Sequence, residues 1–140
     1  MAEFHYAKGR IGDSLQFIAR EMAEFDKEYS RKTWAEYQQD GKLQKLMDRT
    51  VENILTALVE VCGTILAEKG IAAENYGEVL KQAAALFSLS EDEQNDLAKL
   101  AVQRNRLAHR YLDYKWQAIK MFNEQRSLIQ TLLKNILERG

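Results

Sequence analysis

Residues 90 to 111 read SEDEQNDLAKLAVQRNRLAHRY, and the way this stretch winds decides the fold. Ser90 with Glu93 three residues on forms a capping box, and Glu91 and Asp92 add acid where a helix dipole favours it, so a helix begins at about Glu91. At about 100° per residue, Leu97, Leu100, Ala101, Leu107, Ala108 and Tyr111 fall within one arc of roughly 120°. Arg104 lies in the middle of that arc. A guanidinium facing a core needs a partner or a water-filled cavity, so packing alone does not account for it. His109 follows five residues later and Tyr111 two beyond that. The other histidine, His5, belongs to the N-terminal segment, which leaves any imidazole chemistry to His109.

Outward from this helix the same apolar period recurs. Ile11, Leu15, Ile18, Met22, Phe25 and Tyr29 alternate spacings of four and three, which predicts a long helix running to about Gln38, where Asp40-Gly41 breaks it. Residues 1–9 have no period and end at Gly9, so they read as a flexible arm. The seam would suit a coiled-coil dimer, but the later helices are equally amphipathic and favour bundle packing. A second helix, about Lys42 to Lys69, is apolar from Leu43 to Leu66 on a stripe wide enough for two neighbours. Gly63 inside it costs roughly 1 kcal/mol relative to Ala, which suggests close approach by another helix. Gly70 is placed as a C-terminal stop. A third helix, about Tyr76 to Phe87, puts Val79, Leu80, Ala83 and Leu86 on one side. The pattern resets around Asp113, and a last helix is expected from about Tyr114 to Leu137. The chain is thus expected to be all-α, an antiparallel bundle of about five helices with residues 1–140 in a single domain.

Composition agrees with an all-helical chain. No Pro occurs among the 140 residues, of which 46% are hydrophobic and 29% charged. The formal net charge of −1 offers no global attraction for nucleic acid, so any such contact has to come from a local patch. The single cysteine, Cys62, excludes an intrachain disulfide framework and a Cys-rich metal site, fits a reducing cytosol, and reads as a small buried hydrophobe. No signal peptide is visible, and no apolar run approaches the ~18 residues of a membrane span. The chain is therefore expected in the cytoplasm, with no membrane contact. No P-loop, Gly-rich dinucleotide turn or metal-ligand spacing is present.

The segment RNRLAHRY, Arg104 to Tyr111, resembles the R-x4-H-x-Y motif of the HEPN superfamily, and specifically that of the HepT toxins. The Asn directly after the Arg and the helices on either side agree, so the resemblance covers about residues 8 to 138. It implies a HEPN-like helical fold and a homodimer with both motif copies lining one cleft. It further implies an endoribonuclease toxin that needs no metal or cofactor and acts on tRNA or mRNA, with no DNA expected. The implied partner is a minimal nucleotidyltransferase antitoxin, which in this family can transfer AMP to the motif tyrosine, here Tyr111.

The residue types suit that chemistry. Cleavage of RNA without metal needs a base for the 2′-OH, an acid for the leaving 5′-oxygen and positive charge on the transition state. With an ordinary pKa of about 6.5, His109 can serve either proton transfer near neutrality. Arg104 offers a planar fork of charge-assisted hydrogen bonds to phosphate. Asn105, four residues before His109, could orient the imidazole, and Arg106 and Arg110 add RNA-binding charge. One difficulty is geometric, because residues five apart on a regular helix are about 140° apart around the axis. Either the helix ends or distorts near Ala108, or the site is assembled between two chains, as the resemblance favours. The bland readings are a buried salt bridge for Arg104, a dipole partner for His109, packing for Tyr111 and a solvated cluster for the arginines. Two other functions stay open: an inactive HEPN module that binds a nucleotide or a nucleotidyltransferase partner, and a structural bundle.

Overall fold

The structure, a computed structural model, describes residues 2–108 and 110–139, with the backbone alone at 2–8 and 139. Among them are seven helices and no strand: α1 (Ala2–Glu28), α2 (Trp34–Gln39), α3 (Gly41–Glu68), α4 (Tyr76–Leu86), α5 (Glu91–Leu107), α6 (Leu112–Glu124) and α7 (Arg126–Arg139). The all-α expectation holds, while the count of about five does not. Two of the expected helices are each divided.

The first division falls after Glu28. Tyr29 and Ser30 both donate their backbone N–H to the Phe25 carbonyl, and the Ser30 hydroxyl donates to the Asp26 carbonyl at 2.7 Å. Asn123 of α6 then donates to the Ser30 carbonyl at 2.9 Å, which satisfies the chain where it turns. Thr33 restarts a helix through a capping box with Glu36, so α1 does not run to Gln38. At its other end α1 reaches back to Ala2, so the backbone of 2–9 continues the helix and the expectation of a separate arm is corrected. The second division falls at Gln125, whose N–H meets the carbonyls of Met121 and Phe122. Here neither Pro nor Gly marks the break. Tertiary ties set it instead, with Arg126 ion-paired to Asp26 of α1 and Asn123 tied to Ser30.

The remaining boundaries follow local chemistry. Asp40 closes α2 and opens α3, accepting from Lys42 N and Leu43 N. Gly70 ends α3 at φ 71°, and Ile71 N–H reaches back to the Leu66 carbonyl at 2.9 Å, a Schellman closure that only glycine adopts without steric cost. The capping box at Ser90 and Glu93 is formed as expected.

Helix α3 is the centre of the bundle and packs against α1, α2, α4, α5 and α6. It is long and apolar enough to cross a membrane by length and composition, contrary to the expectation that no run approaches that size. Its hydrophobics wrap most of its girth, as befits a helix covered by neighbours; 61% of its most apolar window is buried inside the bundle. Cys62 is fully buried there, and burial pushes its thiol up to about 12. Gly63, by contrast, marks no tight crossing. A Cβ built on it would meet only Val79 Cγ1, at 4.0 Å, which is ordinary contact.

The start of α6 is fastened to α2 and α3. Tyr37, fully buried on α2, donates its hydroxyl to Asp48 Oδ1 of α3 at 2.6 Å, and Lys115 of α6 pairs with Asp48 Oδ2 at 3.6 Å. Trp34 and Tyr37 stack obliquely on Trp116 with centroids 6.0 and 5.2 Å away. Burial pushes the Asp48 carboxyl above its usual range, against the lowering pull of the Tyr37 hydrogen bond and of Lys115. This fastening lies one turn beyond Tyr111.

Candidate functional site

Helix α5 carries Arg104, Asn105 and Arg106 in its last turn and ends at Leu107. Ala108 caps it with an αR backbone, its N–H reaching the carbonyls of Asn105 and Arg106, and Tyr111 resumes in extended conformation as the cap of α6. The first of the two geometric options is therefore met: the helix stops within the motif. His109 lies outside the described residues.

Arg104 sits within the buried arc of α5, yet it is half-buried and not enclosed. At its level α1 and α3 part to leave a groove of about 500 Å³, and the guanidinium lines it. Phe17 of α1 and Asn53 and Thr56 of α3 supply neutral walls, whereas Asp13, Glu52 and Glu60 supply carboxylates. No described carboxylate is ion-paired to Arg104 within 4 Å. The buried salt bridge that a bland reading would assign it is thus missing among the described residues. Its contact is aromatic: the guanidinium carbon lies 5.3 Å from the centroid of the Tyr76 ring, within cation–π reach. The polar side chain that α5 buries most fully is the neighbouring Gln103, which donates to the Lys99 carbonyl at 3.3 Å.

Tyr76 was not singled out from the sequence. It opens α4 on the same side as Val79 and Leu80, which reads as one more core position, but it is 51% exposed. Its placement is fixed by its neighbours. Asn75 caps the helix by accepting from Glu78 N at 2.8 Å, and Gly77 lets the first turn of α4 press on α5. A Cβ at Gly77 would lie 3.4 Å from the Ala98 carbonyl oxygen, so this crossing is closer than the one at Gly63.

The other motif residues spread outward. Asn105 is exposed, Arg106 is half-buried and donates to Gln117 Oε1 of α6 at 3.2 Å, and Arg110 is exposed. Tyr111 is 61% exposed and meets Tyr114 edge to face at 5.6 Å. The expectation that Tyr111 packs in the Arg104 arc is corrected, because a wheel cannot be extended through residues beyond the helix end. Ala108 is exposed for the same reason. Among the described residues no group of three or more His, Cys, Asp or Glu side chains converges as a metal site would require.

The arrangement offers a half-buried cation in a groove, two further arginines around a helix end and an exposed tyrosine one turn on. Compared with known families, residues 18–134 match the family described as Ribonuclease HepT-like. A search of curated proteins found no match.

Proposed function

Since the chain belongs to the HepT-like ribonuclease family, we propose that it is an endoribonuclease toxin that cleaves RNA, tRNA or mRNA, without a metal ion. In this reading His109 accepts the 2′-hydroxyl proton as the 2′-oxygen attacks phosphorus, the bond from phosphorus to the 5′-oxygen breaks, and that oxygen leaves with the proton returned by the imidazolium so formed. Arg104 holds the non-bridging phosphate oxygens and stabilises the charge that grows on them. Asn105 orients the imidazole, and Arg106 and Arg110 engage neighbouring phosphates. The chain acts in the cytoplasm as a homodimer whose two motifs share a cleft. A minimal nucleotidyltransferase antitoxin restrains it by transferring AMP to Tyr111.

The observation that supports this best is the state of Arg104. A half-buried guanidinium that borders a groove without an ion-pair partner among the described residues is a cation held for something that arrives from outside. Arg104→Ala and His109→Ala should each abolish RNA cleavage and growth toxicity with the helical circular dichroism unchanged. Loss of one positioned acid–base group typically lowers the rate about 10²- to 10⁴-fold. Cleavage should persist in EDTA. Activity that requires added Mg²⁺, or that survives His109→Ala, would remove this mechanism in favour of a HEPN module that binds a nucleotide or a nucleotidyltransferase partner.

A further inference from the structure

We infer that Tyr76 is a stacking platform for a base of single-stranded RNA, placed beside the phosphate that Arg104 holds; this rests on the ribonuclease reading above. Three observations converge on it. The ring is half open to solvent although it sits at the start of a helix whose next apolar residues turn inward. Its contact with the Arg104 guanidinium, 5.3 Å from the ring centroid, puts an aromatic surface next to the cation that would hold the phosphate. The ring's backbone is also fixed, by the Asn75 cap and by the close seat of Gly77 on Ala98, so little freedom remains to be lost on binding.

Electrostatics sorts the two parts of a nucleotide. Asp13, Glu52 and Glu60 line the groove that Arg104 borders, and their charge repels a phosphodiester from its floor. The backbone of a bound strand is held off that floor, at Arg104. A neutral base bears no such repulsion. Single-stranded RNA is commonly read by laying unstacked bases on aromatic rings or guanidinium planes, and here both surfaces are in contact with each other. Stacking tolerates any base, so the platform contributes affinity and register and not sequence choice.

The test uses the full chain carrying His109→Ala, so that the probe stays intact, and two single-stranded oligoribonucleotides of equal length, one of them with abasic spacers in place of its bases. Tyr76→Phe should leave binding of both unchanged. Tyr76→Ala should weaken the base-bearing strand by about 5- to 150-fold, the range for one stacked base, and leave the abasic strand unaffected. A 2-aminopurine in the first strand should be quenched by the chain with Tyr76 and not by Tyr76→Ala. Equal weakening of both strands would mean that the ring only props Arg104, and unchanged affinity for both would remove any role; either overturns the platform while the ribonuclease reading stands. If the Tyr76-containing chain binds neither strand, both fall together.

Discussion

Tyr111 stands in solvent because Leu107 is the last helical residue before it, so its exposure is a property of one helix end and not of the tyrosine itself. A hydroxyl so placed is within reach of a modifying enzyme, and an AMP group on it would bring a phosphodiester charge among Arg104, Arg106 and Arg110. Incubation with the cognate nucleotidyltransferase and ATP should add one AMP to the intact mass, and Tyr111→Phe should prevent it. An adduct on Tyr114, which touches the same ring, or no adduct at all, would overturn the assignment to Tyr111. Asp48 makes a second claim at this scale. The charges and titratable groups around it are Tyr37 of α2, Lys115 of α6 and Glu52 of its own helix, and the net result is a carboxyl raised by burial. A raised folded-state pKa means that the folded chain takes up its proton first, so on acidification Asp48 contributes increasing stability between its folded and unfolded values, and neutral pH is where it contributes least. Asp48→Asn should flatten that acid-side rise in denaturant melts while keeping an acceptor for Tyr37. Asp48→Ala leaves a buried hydroxyl unpaired and should lose about 1–3 kcal/mol.

Among the elements, those whose ends are written in local chemistry were legible. Helix α3 falls within a residue of the boundaries read from Asp40 and Gly70, and α5 begins where the Ser90 box sets it, because caps and glycine closures act on adjacent residues; α5 ends at Leu107, short of Tyr111, to which the apolar arc extends. The division after Glu28 also had a local signal, the Thr33-to-Glu36 box, which the continuing apolar seam through Tyr29 obscured. The break at Gln125 had none. It depends on Asn123 and Arg126 finding Ser30 and Asp26, almost a hundred residues away in the chain, and no window of sequence contains both sides. The candidate site divides the same way. That Arg104 lies on the inward arc was readable from spacing; that a groove opens at its level between α1 and α3, and that the Tyr76 ring of α4 lies against its guanidinium, required the packing of the helices. The Asp48, Tyr37 and Lys115 fastening, drawn from three elements, was likewise beyond reach, and it ties the first turn of α6 to the core next to the motif.

For the molecule as a whole, the proposed shared cleft depends on a dimer. Light scattering at micromolar concentration should give about twice the 16.2 kDa chain mass. A strict monomer would remove the argument for a site composed from two chains. The central position of α3 has another consequence. Cys62 lies six residues before the end of the helix that five others cover, and its thiol is neither exposed nor ionised near neutrality, since reactivity belongs to the thiolate. A sulfhydryl reagent cannot reach it by fraying of a terminus or opening of a single turn. Its labelling is gated by disassembly of the whole bundle, so the one sulfur of the chain's only cysteine is a stopwatch for global unfolding, running in native buffer without denaturant.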